Sequence, residues 1–135
     1  LYFLKMDAMK NAKKLLLLLI LLNFLNCEEQ ERDCKKFYTG SFYSETVING
    51  KILRSTFRRD NTNIQIEQFN QDIDSSRVRW VNDCEMVLSS ISPKNINEKK
   101  NILIKILETT DSSYTYEYSY VGESVKLKSE AFKIK

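Results

Sequence analysis

Four tyrosines, Tyr114, Tyr116, Tyr118 and Tyr120, alternate without interruption in SSYTYEYSYVG. Alternation of this kind places all four rings on one face of a single β-strand. Such a row can stack sugar rings or bases. It can equally fill a half-buried pleated face, each hydroxyl reaching water or a backbone group. Trp80 is the chain's one tryptophan, and with the four tyrosines it completes the candidate ligand-contacting set. Arg77 and Arg79 flank it on the opposite face; they could clamp an anion or form an outward solvated surface. Glu67, Glu85 and Glu117 stand in strand-like stretches where a facing pair of carboxylates could do acid–base work. The chain has no histidine, so no Ser-His or Cys-His nucleophile can be built. Neither phosphate-cradling glycine pattern occurs, and only three glycines exist in all. No catalytic set and no cofactor follow from these residues.

The three cysteines divide by position. Ahead of Cys27, the segment KKLLLLLILLNFLN carries Lys13 and Lys14 and an unbroken aliphatic run from Leu15 to Leu22. That run is shorter than the roughly 20 residues a membrane-spanning helix requires, and it has no amphipathic period. Basic segment, apolar core and polar break are the order of a secretory signal, expected over residues 1–26 with Met9 as its start. Phe24-Leu25-Asn26-Cys27 resembles a bacterial lipobox, at whose cysteine a thiolate takes a diacylglyceryl group and then becomes the mature N-terminus. Phe24 stands where Leu is usual and Asn26 where Gly, Ala or Ser is usual, as in the looser motifs of Bacteroidetes lipoproteins. Glu28-Glu29 resembles the acidic tract that marks such lipoproteins for surface export. If Cys27 carries lipid, Cys34 and Cys84 remain as a pair for a disulfide. The alternatives for this pair are two free buried thiols, or a metal site with Asp33 and Asp83. No C-x-x-C and no four-ligand set accompanies them, so no metal centre is expected.

The elements that must position these residues read as strands. FYTGSFYSETVINGKILRSTFRR is a hairpin around Asn49-Gly50, the dipeptide of a type I′ turn. IQIEQF follows the turn at 60–63, and a polar loop is expected over Asn70 to Ser76. In RVRWVNDCEMVL the residues Val78, Trp80, Cys84, Met86 and Leu88 share a face. Ser92-Pro93 predicts one short helix over 93–100. NILIKIL, YTYEYSYV and VKLKSEAFKIK complete seven or eight strands with hairpin-length links. Successive hairpins close on themselves to remove exposed edges. The expected fold is therefore all-β: an antiparallel meander forming a small, closed or nearly closed, lipocalin-like barrel. A two-sheet sandwich is the alternative. Residues 27–35 read as a lipidated tether and 36–135 as a single β domain.

Charge narrows the partners. The chain has 21 Lys and Arg against 18 Asp and Glu; four lysines and one aspartate fall within 1–26, leaving 17 of each sign and no net charge beyond the leader. No electrostatic footprint for nucleic acid remains. DCKKFYTGSFYSE, RWVNDCEMVLSSISPKN and SSYTYEYSYVGES together resemble a family of short flavobacterial lipoproteins, across nearly the whole mature chain. A DNA topoisomerase subunit label circulates in that family; this sequence contains no topoisomerase-like domain. The resemblance adds weight to Cys27, Cys34 and Cys84 and implies no particular activity. The expectation is a lipid-anchored protein of the outer membrane, on its periplasmic side or at the cell surface, binding a small apolar ligand or an envelope protein. An envelope enzyme using carboxylates or tyrosines in a barrel mouth is the alternative. The barrel interior separates the two, because a ligand-sized cavity favours binding and a cluster of perturbed carboxylates favours catalysis.

Overall fold

A computed structural model describes residues 31–135, together with Lys14 in isolation. Cys27 and the signal segment lie outside the described residues. Eight antiparallel strands close into a barrel in the order of the chain: β1 (Gly40–Ile48), β2 (Lys51–Arg59), β3 (Ile64–Phe69), β4 (Asp72–Asn82), β5 (Glu85–Ser90), β6 (Ile102–Thr109), β7 (Ser113–Tyr120) and β8 (Leu127–Lys133). Closure comes from β8 pairing back onto β1, from Phe42 opposite Lys133 to Glu45 opposite Glu130. Every strand thereby has two neighbours, and no edge is left open to another chain. The barrel and not the sandwich is the fold.

Each hairpin follows from local chemistry. Asn49 and Gly50 both take positive φ, 51° and 75°, the pair of values a two-residue type I′ turn demands. Asn63 and Asn70 supply the same left-handed conformation at the β2–β3 and β3–β4 links. The polar loop expected over 70–76 is not formed. The chain turns at Asn70-Gln71, and β4 begins at Asp72, directly opposite Phe69. Pairing with β3 overrides the low strand propensity of DIDSS. The helix expected over 93–100 is also absent. The Asn95 side chain accepts the Glu98 N–H at 3.0 Å, and the Glu98 carboxylate accepts the Lys94 N–H at 2.6 Å. Side chains thus take the backbone groups that a longer helix would need, and a run of turns results.

The one helical element among the described strands and links is a 3₁₀ turn, Cys34–Phe37, which plugs one end of the barrel. Arg32 donates to the Ile106 carbonyl at 2.8 Å and the Asp33 N–H donates to Thr109 Oγ1 at 3.0 Å. Residues 32–35, read from sequence as part of the tether, therefore already sit on the barrel wall. Cys34 and Cys84 form a disulfide with α-carbons 5.3 Å apart, so the thiol and metal readings of this pair fall away.

Inward-facing side chains shrink from this plugged end towards the other. On β1 they run Phe42, Ser44, Thr46; on β2, Phe57 then Ser55; on β4, Val78 then Ser76. Phe37, Phe42, Phe57, Ile106, Tyr114, Cys34 and Ala131 form a dense core at the plugged end. Val78, Met86, Leu88 and Ile104 extend it up the wall formed by β4, β5 and β6. An eight-stranded barrel is just wide enough to be filled by side chains. Where those are serine and threonine, it is not filled.

Candidate functional site

The unfilled part is a cavity of about 230 Å³. Arg59, Gln65 and Tyr114 lie at its floor, Ser44, Ser55, Glu67 and Tyr116 at mid-height, and Leu88, Ile102, Ile104 and Tyr118 on its apolar side. A second opening of about 210 Å³, under the 91–101 link, shares Glu67, Leu88 and Ile102 with the first. The cavity thus reaches the barrel mouth. The four links at that end carry exposed apolar side chains: Val47, Ile48 and Ile52; Phe69 and Ile73; Ile96; Val121, Val125 and Leu127.

Parity in the sheet decides who enters. Arg59 pairs with Gln65 and Phe57 with Glu67 on the interior face of β2 and β3. Arg59 is 3 % exposed. Its Nη1 donates to Gln65 Oε1 at 2.9 Å, and its Nη2 donates to the Phe37 carbonyl at 2.7 Å and to Tyr114 Oη at 3.0 Å. The guanidinium carbon also lies 4.8, 5.2 and 5.9 Å from the ring centres of Phe42, Phe57 and Tyr114. Aromatic faces and neutral oxygens solvate this charge in place of water.

Glu67 shares the cavity. Burial pushes its carboxyl above the usual range; the neighbouring Ser55 hydroxyl opposes this, and Asp74, opposite it across β3–β4, adds to it. Asp74 itself is paired with Lys94 at 3.5 Å. The other two carboxylates singled out from sequence do not join it. Glu85 pairs with Lys105 at 3.7 Å and Glu117 with Lys126 at 3.3 Å, both on the outer surface. Of the three glutamates, only Glu67 lines the cavity.

The tyrosine stripe does share one face, in a gradient. Tyr114 is fully buried in the plug, and burial raises its hydroxyl above the ordinary phenol value although Arg59 opposes this. Tyr116 shares a hydrogen bond with Ser44 Oγ at 3.1 Å, in a network that continues to Ser129. Tyr118 lines the cavity, its hydroxyl raised first by burial and then by Tyr116 and Glu67. Tyr120 lies at the mouth with Lys100 Nζ 5.1 Å from its ring centre. Trp80 is elsewhere: its ring stacks on Tyr38 at 3.8 Å, beside both core clusters, and it does not line the cavity. Arg77 and Arg79 are exposed on the outer face. Among the described residues no group of carboxylate, cysteine or histidine side chains could hold a metal ion.

Arg59 and Gln65 were not singled out by their types. The signal for Arg59 was its spacing: in FRRD, the arginine two residues after Phe57 must share the phenylalanine's face. No protein-family model, curated protein or solved structure matches the chain.

Proposed function

We propose that this chain is a lipid-anchored envelope protein whose barrel binds a small amphipathic molecule. The observation that carries the reading is the taper of the interior. Aromatic side chains plug one end, while serine and threonine leave about 230 Å³ of amphipathic space towards the other. Cavities that bind small molecules combine mostly apolar walls with a few convergent polar groups. Leu88, Ile102, Ile104 and Tyr118 supply the walls here; Ser44, Ser55, Glu67 and Arg59 supply the polar groups. The apolar rim of the mouth supports an interaction role as well, because clustered exposed apolar side chains mark surfaces that meet ligands or partners.

Anchoring rests on the leucine run, on Cys27 and on the resemblance to flavobacterial lipoproteins. Two acyl chains, at roughly 0.8 kcal/mol per buried methylene, hold a protein of this size durably at an outer membrane, where one chain lets it exchange. The reading is tested in two parts. Cys27→Ser expressed in a bacterium with a lipoprotein pathway is expected to lose palmitate label and membrane retention; equal label in both proteins overturns the anchor. Titration with 1-octanol is expected to shift the methyl resonances of Leu88, Ile102 and Ile104, and the cavity-filling Ser55→Phe to abolish the shifts. Unshifted methyls at saturating octanol overturn the binding role.

A further inference from the structure

Resting on that binding role, the charge balance inside the barrel identifies the ligand class. None of the ion pairs among the described residues includes Arg59. A guanidinium stays protonated at any accessible pH, so the floor of the cavity carries a permanent positive charge that no carboxylate among the described residues pairs with at salt-bridge distance. The acceptors around it are a carbonyl, an amide oxygen and a phenol, all neutral. They solvate the charge without neutralising it, and a buried charge without a counter-charge is costly. Two donors there are unspent. Arg59 Nε is buried without a hydrogen-bond partner. Tyr114 Oη accepts from Arg59, which leaves the phenol's own hydrogen to donate elsewhere.

Above the floor the lining changes character. Glu67 pairs with Phe57, one step of two residues nearer the mouth than the Arg59–Gln65 pair, about 7 Å along the strand. Along one side of the cavity Leu88, Ile102, Ile104 and Tyr118 form an apolar sleeve. A cavity of about 230 Å³ has room for roughly eight groups of water or methylene size, at about 30 Å³ each.

We propose that the barrel binds an amphipathic carboxylic acid of medium chain length, its carboxylate seated against Arg59 and the Tyr114 hydroxyl and its alkyl chain in the sleeve leading to the mouth. The charge-assisted bonds that a guanidinium makes to a carboxylate are about twice as strong as neutral ones. The site therefore discriminates by head group, and the sleeve limits length. Glu67 works against an anion passing it, so it tunes affinity downward and is not itself the seat.

The test compares three eight-carbon probes on the purified full-length chain at one ionic strength and neutral pH: octanoate, 1-octanol and octylammonium, by calorimetry and methyl shifts. Octanoate is expected to bind about tenfold or more tighter than octanol, and octylammonium more weakly than either. Arg59→Met is expected to erase the preference for octanoate while octanol still binds. Tyr114→Phe, which keeps the ring, should weaken octanoate several-fold more than it weakens octanol, and Glu67→Gln should strengthen octanoate several-fold. Should Arg59→Met fail to fold, the Tyr114 and Glu67 variants decide. Equal affinity for octanoate and octanol overturns the carboxylate seat and leaves the binding role standing; failure of every probe overturns both. Tightest binding of octylammonium, or an unfolded Glu67→Gln protein, overturns the proposal by making Glu67 the recognition group or the counter-charge of Arg59.

Discussion

Glu67 and Ser44 sit at the same height in the barrel and meet burial in opposite ways. Ser44 is 6 % exposed. Its hydroxyl is fully engaged, donating to the Glu130 carbonyl at 3.0 Å and bonded to the hydroxyls of Tyr116 and Ser129. Glu67 lacks a cationic partner among the described residues, so desolvation dominates and its carboxyl holds a proton to higher pH than it would in the unfolded chain. Folded protein then binds more protons than unfolded protein in the window above the ordinary glutamate value of about 4.3. Stability contributed by this group therefore falls as pH rises from there through the folded value, and is level above it. Glu67→Gln removes that loss. Urea midpoints measured between about pH 3 and 8 are expected to show the Gln variant gaining on the parent across this window and then holding a constant lead. A lead that shrinks with pH would mean that the carboxylate is stabilised, not desolvated, in the fold.

Among the elements, turns and strand parity did most to determine the architecture. Asn49-Gly50 sets the β1–β2 register over nine pairs, from Ile48 opposite Lys51 to Gly40 opposite Arg59. That register puts Phe42 opposite Phe57 inside and brings Arg59 to the plug. Gly50 takes a φ of 75° with open space around its α-carbon. A methyl group there meets no neighbour, so Gly50→Ala measures backbone strain alone. It is expected to cost about 1–2 kcal/mol in urea unfolding, the left-handed penalty of an L-residue. A cost below a few tenths would show that the turn relaxes to another type. The 93–100 segment illustrates the converse. Ser92-Pro93 is a fair helix start, yet Asn95 and Glu98 satisfy the backbone groups of a single turn, with Lys99 and Lys100 N–H bonded to carbonyls three residues back. Local side-chain chemistry of that kind is invisible to a start signal taken alone.

At the scale of the whole molecule, the disulfide joins the plug to the barrel. Cys34 opens the 3₁₀ turn and Cys84 sits in the β4–β5 link, 50 residues away in sequence. Closing a loop of that length restrains the unfolded chain by roughly 4 kcal/mol in the chain-entropy model. Reduction is expected to lower the urea midpoint by a corresponding amount and to loosen the plug on which Tyr38 and Trp80 stack. An unchanged midpoint with both thiols shown free would mean that the plug holds by packing alone.

What the sequence alone determined is what depends on local pattern. Period-two alternation made the strands, Asn-Gly made the first hairpin, and a run of hairpins in an edge-averse sheet made the barrel. The stripe from Tyr114 to Tyr120 and the face shared by Val78, Trp80, Cys84, Met86 and Leu88 were likewise legible, because side-chain direction in a strand is fixed by parity. Depth along the barrel was not. Tyr114 is buried and Tyr120 open to solvent on the same face of the same strand, and Trp80 and Tyr118 both face inward while only Tyr118 meets the cavity. These differences depend on which strands face each other across the barrel and on where the 3₁₀ turn enters. The cavity itself is likewise a tertiary result, since it exists only where short side chains from several strands coincide at one height. Arg59 was not singled out in the sequence; its unpaired charge emerged only when closure of the barrel set three aromatic rings around it, with no ion pair to it among the described residues.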